Sequence, residues 1–244
     1  FIPGKFGPYA HSAHNGLYQK ISSTGIWIPK YLNLNDKYIF SVLELSNGAI
    51  LLACTKGIFK SVDDGKTWNQ VYNDENVYTM SLSNDVIIAG CSSGLIRSTD
   101  KGEHWTQVLT DDRGTSTTKV IEGRFFAISL RSNEWKYKMA YAGKLANKLR
   151  YSDDLGLTWK RMDEHLLPVV LNVSIATQSS TGQVINDIMQ VGDVLVCCVG
   201  NVIYRSTDKG QSWQAVLTGS KENRRFEFVK SGSKIYAMSV NSGC

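Results

Sequence analysis

The chain has 244 residues, 27 of them Lys or Arg and 22 Asp or Glu, for a formal net charge of +5. The charges are spread without a basic block or an interleaved aromatic track, which argues against a nucleic-acid partner, and no apolar run approaches the roughly 18 residues of a membrane span. One sizeable all-β domain over residues 1–244 fits this length, and the N-terminus lacks the basic and apolar regions of a secretory leader, so a soluble chain is expected.

In chain order, residues 1–15 read as an N-terminal tail. Gly16 to Ile21 and Trp27 to Tyr31 read as two strands around a turn. Four four-strand groups follow, because short apolar, β-branched runs alternate with turn residues. The first is Tyr38 to Leu45, Ala49 to Thr55, Gly57 to Ser61 and Trp68 to Tyr72; the second is Val77 to Ser83, Val86 to Cys91, Leu95 to Ser98 and Trp105 to Leu109. The third is Thr118 to Glu122, Arg124 to Leu130, Lys148 to Ser152 and Trp159 to Met162, and the fourth Val184 to Gln190, Val194 to Val199, Val202 to Ser206 and Trp213 to Leu217. Two last strands, Arg225 to Lys230 and Lys234 to Val240, lack a third and fourth.

Each complete group carries Ser-x-Asp-x-Gly-x-x-Trp between its third and fourth strands: Ser61, Asp63, Gly65, Trp68; Ser98, Asp100, Gly102, Trp105; Ser152, Asp154, Gly156, Trp159; and Ser206, Asp208, Gly210, Trp213. A worn fifth copy runs from Gly16 to Trp27. Ser and Asp oxygens accept nearby N–H groups, Gly supplies a positive φ and Trp an apolar plate, so the motif makes a rigid turn. Arg97, Arg150 and Arg205 stand at equivalent positions beside these turns, where scaffold pairing is expected of them. Cys54, Cys91 and Cys197 or Cys198 fall in corresponding strands, as buried thiols would.

The motif resembles the Asp-box, or BNR, repeat of sialidases, sortilin-type receptors, some glucan hydrolases and photosystem II assembly-factor-like proteins. The resemblance implies a β-propeller whose boxes join the third and fourth strands of four-stranded antiparallel blades. The Trp residues recur 37 to 54 residues apart, as blades with insertions would. The expected ring has five blades, the last built from both termini; the alternative is part of a six- or seven-bladed propeller.

Long loops fall opposite the boxes, at Arg131 to Asn147 and Asp163 to Gln183, and such loops on a rigid scaffold are where binding is built. Arg131, Trp135, Tyr137, Tyr141, Arg113, His165 and Arg224 are the candidate ligand contacts, aromatic plates and cations able to meet a glycan or a protein. The expected function is a non-catalytic binding or scaffold propeller, secreted or periplasmic by the family resemblance, monomeric, with no cofactor and no metal. The alternative is a glycoside hydrolase, sialidase-like or other, with Asp163, Glu164 or Glu222 as its carboxylates. Against a sialidase, Phe1-Ile2-Pro3 replaces the Arg-Ile-Pro of that family, and Arg113, Arg124, Arg131, Arg224 and Arg225 have no motif around them.

Overall fold

A computed structural model describes residues 2–4, 7–12, 16–20, 25–30, 34, 37–111, 114–129, 145, 147–166, 169, 184–219, 224–231 and 234–241. Among them, strands make five four-stranded sheets and one two-stranded sheet, each wound in chain order. The first contains β1 (Ile2–Gly4), β2 (Gly7–Ser12), β3 (Gly16–Lys20) and β4 (Trp27–Pro29). The second contains β5 (Ile39–Glu44), β6 (Ile50–Cys54), β7 (Gly57–Ser61) and β8 (Asn69–Tyr72), and the third β9 (Val77–Ser83), β10 (Val86–Cys91), β11 (Gly94–Ser98) and β12 (Thr106–Thr110). Then come β13 (Thr115–Ile121), β14 (Arg124–Ser129), β15 (Leu149–Ser152) and β16 (Lys160–Arg161), followed by β17 (Ile185–Val191), β18 (Val194–Val199), β19 (Val202–Ser206) and β20 (Gln214–Thr218). The last sheet is the pair β21 (Arg224–Ser231) and β22 (Lys234–Asn241).

The strands from β5 onward follow the sequence expectation to within a few residues, because strand period and turn chemistry agree there. The N-terminus departs from it. Residues 1–15 include β1 and β2, not only a tail, and β3 pairs with β2 (Tyr9↔Gln19 through Ser12↔Gly16). Among the described residues no sheet joins strands of the two termini: β3 and β4 pair with β1 and β2, and β21 and β22 form a two-stranded sheet of their own. The physical reason is chain distance, since a neighbouring hairpin closes a far shorter loop than a pairing across the whole chain.

Two compact units divide the chain, Phe1–Ala127 with Asp153–Thr158, and Ile128–Ser152 with Trp159–Cys244. In the first unit the second strands β6 and β10 are buried along their whole length. Leu51, Ala53, Ile58, Val77, Ile87, Ala89 and Ile96 form a continuous core between the two sheets. In the second unit Cys198, Ile203, Phe226 and Phe228 form the corresponding cluster.

Each repeat turn is a closed hydrogen-bond unit. Ser61 Oγ donates to Asp63 Oδ1 and accepts the Gly65 N–H, both at 2.8 Å. Asp63 Oδ1 in turn accepts the N–H groups of Lys66 and Thr67 at 3.1 and 2.9 Å. Ser98 with Asp100, and Ser206 with Asp208, repeat this arrangement. Left-handed backbone extends one residue beyond the expected Gly: Asp64, Lys101, Leu155 and Lys209 have φ of 61°, 61°, 55° and 60° just before it.

This double left-handed step presses the turn against the preceding sheet. A Cβ on Gly102 would stand 2.8 Å from Leu51 Cδ1 of β6, and one on Gly156 only 2.2 Å from Ile88 Cδ1 of β10. A cation completes the contact. Lys60 Nζ donates to Lys101 O at 2.8 Å and to Glu103 Oε1 at 2.6 Å, Lys30 Nζ donates to Asp64 O at 2.8 Å, and Arg97 Nε donates to Leu155 O at 2.9 Å. The scaffold role expected of Arg97 is therefore observed. Trp68 and Trp213 are buried, whereas Trp105 and Trp159 are half-buried.

Two outcomes follow for the turns. Gly123→Ala, at φ +79° with open space around it, is expected to lose only the left-handed strain of about 1–2 kcal/mol. Gly156→Ala adds the overlap with Ile88 and should lose a further ~1–3 kcal/mol in urea melts; equal losses would show that the turn does not bear on β10. Hydrogen bonds, from the hydroxyl and N–H of Ser212 first, hold the Asp208 carboxyl at about 2 against an ordinary 3.8. At Asp100 burial opposes ionisation, but bonds from His104 and Ser98 bring it to about 2 as well. A lowered folded value stabilises above the ordinary carboxylate range and is lost as pH falls through the folded value. The melting temperature should therefore drop between about pH 4 and pH 2, and Asp208→Asn should flatten that drop.

Candidate functional site

Within a sheet, the repeat turn sits at one end, and the start of the first strand and the hairpin between strands two and three sit at the other. At that other end three of the first strands share an irregularity. β5 shifts register between Ile39 and Ser41, β9 pairs Thr79 and then Val77, and β17 shifts between Ile185 and Asp187. The skipped residues are Phe40, Tyr78 and Asn186, which occupy one repeat position. A bulge bends the strand and re-aims the side chain of its extra residue.

In the first unit the bulges display aromatic rings. Phe40 is 37% exposed and Tyr38, two residues before it, 50%. The Phe40 and Tyr78 rings touch, with centroids 5.3 Å apart and planes at 58°. Tyr78 Oη and Ser92 Oγ are hydrogen-bonded at 3.0 Å. Two bonds of 3.0 Å, Tyr38 N–H to Thr55 Oγ1 and Thr55 N–H to Tyr38 O, fix the strand start against its hairpin. Beside it, Glu75 accepts from Ser93 N–H and from the Ser93 hydroxyl, so this carboxylate caps the β10–β11 hairpin. Sequence reasoning passed over Phe40 and Tyr78; the available signal was an aromatic residue after the first aliphatic of two successive first strands.

The candidates chosen from sequence are distributed unevenly. Arg131, Trp135, Tyr137, Tyr141, Arg113 and Glu222 lie outside the described residues, and Arg224 opens β21. In the second unit, Asp163, Glu164 and His165 lie on one helical turn, residues 163–166. Asp163 is buried, accepts the Leu149 N–H at 3.2 Å, and takes Arg161 through both oxygens. Glu164 meets the same guanidinium at 3.0 Å, and His165 is exposed. Arg161 thus brings the two carboxylates together, but Asp163 is committed to tying β15 to this turn.

Two of the loose arginines are engaged as well. Arg124 Nε pairs with Asp153 at 2.6 Å, and Arg225 with Glu227 at 3.1 Å. Cys54, Cys91, Cys197 and Cys198 are buried free thiols, as expected. Burial pushes Cys54 to about 12 and Cys91 to about 11, so both are inert at neutral pH. Among the described residues no group of three or more His, Cys, Asp or Glu could hold a metal ion, and no helix is long and apolar enough to cross a membrane.

No protein-family profile matches the chain, and no curated protein matches it. Solved structures do. A virginiamycin B lyase from Staphylococcus aureus superposes with a TM-score of 0.64 at 14% identity, over 98% of this chain and 79% of the lyase. The GH74 xyloglucanase from Xanthomonas campestris gives 0.63 at 12% identity, over 95% of this chain and 40% of the enzyme. An ancestral GH74 enzyme gives 0.61 at 16%, over 84% of this chain and 28% of the enzyme. The chain therefore spans well under half the length of the two GH74 enzymes. At these identities the likeness shows the fold, a β-propeller of four-stranded antiparallel blades.

Asp163→Asn should weaken the fold: it leaves Arg161 without its full partner and the Leu149 N–H with a poorer acceptor, a loss of about 1–3 kcal/mol. A denaturant midpoint unchanged from the parent would show that the carboxylate is not structural.

Proposed function

We propose that the chain is a non-catalytic binding propeller of the Asp-box kind, which recognises a glycan or a protein through the sheet ends opposite its repeat turns. The observation that carries this reading is the recurrent first-strand bulge, which holds Phe40 of β5 and Tyr78 of β9 in contact, with Tyr38 exposed in the same segment as Phe40. Exposed aromatic plates on rigid elements suit stacking on a sugar ring or anchoring a protein. The four Ser-x-Asp-x-Gly-x-x-Trp turns support the Asp-box assignment, with a monomeric, secreted or periplasmic protein as its counterpart. Trp135, Tyr137 and Tyr141, with Arg131, Arg113, His165 and Arg224, remain proposed ligand contacts on the sequence reading alone.

Hydrolysis is the second reading, and the GH74 neighbours favour it. Against it, Glu75 and Asp163 already serve the scaffold as a hairpin cap and an inter-strand tie. A hydrolase needs two carboxylates across a cleft, one of them free to give up a proton.

A glycan array and a chromogenic-glycoside screen on the full chain separate the two readings. Binding without turnover is expected, with Phe40→Ala and Trp135→Ala each weakening the complex by about 1–3 kcal/mol, and Phe40→Ala costing about 0.5–1.5 kcal/mol of stability for the lost contact with Tyr78. Turnover of a glycoside that is lost in Glu164→Gln, with binding retained, would replace this reading with the hydrolase.

A further inference from the structure

The sheet of β21 and β22 has two strands where the five other sheets have four. β22 is second in its sheet, the place that β6 and β10 fill fully buried between two neighbours. Among the described residues no strand lies on its outer side, and most of it is exposed. The pair is nonetheless anchored, unlike a lone hairpin, which is marginal in water. Asp187 of β17 accepts the Phe228 N–H at 3.0 Å, the Cys198 thiol of β18 donates to Phe226 O at 2.8 Å, and both rings are buried with Ile203. β22 is thus held on a fixed support.

Sheets blunt their open edges with short strands, Pro, charge or bulges, because unpaired N–H and C=O groups template pairing with another chain. The other outer strands do so. β4 has three residues and ends in Pro29, β16 has two residues, and β8, β12 and β20 each join their third strands through a register shift. β22 is different. Its eight residues run against β21 in unbroken register from Arg224↔Asn241 to Ser231↔Lys234, without Pro or Gly and with one charge, Lys234, at its end.

The side-chain pattern makes this edge complementary to itself. Tyr236 and Met238 are exposed on the face turned away from Phe226 and Phe228, beside exposed Val229, which pairs with Tyr236. Directly opposed residues of an antiparallel pair share a face. Around a two-fold axis at Ala237, Tyr236 of each copy therefore falls opposite Met238 of the other, a ring against a thioether, while the two Lys234 lie at opposite ends. Joined so, two sheets of two strands become one of four, the number at which the other sheets stop. We infer that the chain pairs with a second copy of itself, edge to edge through β22, antiparallel about a two-fold at Ala237. A single strand donated by another protein would leave three. An edge about 27 Å long covers less than the roughly 1,200 Å² of a standard interface, so the pairing is reversible and the monomer is its dissociated form. It asks nothing of the binding face proposed above.

Sedimentation velocity of the full chain at rising concentration, with amide hydrogen exchange of β22 at the same concentrations, tests the pairing. A monomer–dimer equilibrium is expected, with β22 amides exchanging more slowly as the dimer fills. Tyr236→Lys with Met238→Lys sets cations against one another across the axis and should weaken pairing at least about tenfold, with an unchanged melt because both side chains are exposed. Tyr236→Glu with Met238→Lys sets Glu against Lys in both copies and should pair within about threefold of the parent at low salt, then more weakly as salt is raised. A monomer at every concentration overturns the inference, and so does a dimer that the double lysine variant does not weaken or that leaves β22 exchange unchanged. Loss of pairing in both double variants overturns the two-fold at Ala237, as do assemblies that keep growing beyond the dimer, the mark of a head-to-tail contact. A monomer whose β22 amides are nonetheless protected puts some other strand on the edge and overturns the second copy. Should either variant melt early, the exchange of the parent chain decides alone.

Discussion

The contact between each repeat turn and the sheet before it is the constraint on which the scaffold rests. A left-handed pair, Lys101-Gly102 or Leu155-Gly156, turns a backbone carbonyl toward a cation from the preceding third strand and lays a bare Cα against the preceding second strand. Three requirements meet in that contact: a residue without Cβ, a cation of sufficient reach, and a turn held rigid by its own Ser and Asp. Lys60 is buried, which is tolerable because its ammonium finds both a carbonyl and a carboxylate. The same geometry recurs from sheet to sheet, so small local terms accumulate through near-neighbour contacts, as in other repeat proteins.

In the sheets that carry the full repeat, the turn fixes one end and leaves the other to be finished separately. Polar groups at the turn end are consumed by closure, whereas the opposite end is finished by side chains such as Asn76 and Glu75 that cap hairpins. Asn147 does the equivalent in the second unit, exchanging two 2.8 Å bonds with the backbone of Ile185. These caps satisfy backbone groups that would otherwise be buried unpaired. What stays presented in the first unit is aromatic and hydroxylic.

The bulges link scaffold to surface. An uninterrupted β5 would continue its alternation and send Phe40 to the face opposite that of Ile39, in step with its pairing on β6. The extra residue breaks that step and lets Ile39 and Val42 both enter the core, while Phe40 leans out to meet Tyr78. Asn186 takes the same position in β17, where it donates to Gly200 O. The position is therefore a fixed feature of the backbone on which different side chains can be mounted.

The sequence by itself determined the strands from β5 onward, the turns and the repeat, because these depend on local chemistry: period-two burial, Ser and Asp acceptors, and Gly where φ must be positive. It also pointed to Arg97 as a scaffold cation and to buried thiols in corresponding strands. Tertiary structure alone decided what depends on register and on distant partners. No local signal told Asp163, a loop carboxylate by position, that Arg161 and the Leu149 N–H would consume it. Nor could alternation in Tyr38-Ile39-Phe40-Ser41-Val42 reveal a bulge, which is defined only against the partner strand. Pairing of β3 with β2 was hidden for a similar reason: the Pro and Gly of residues 1–15 have low strand propensity, and only the neighbouring strand makes them part of a sheet.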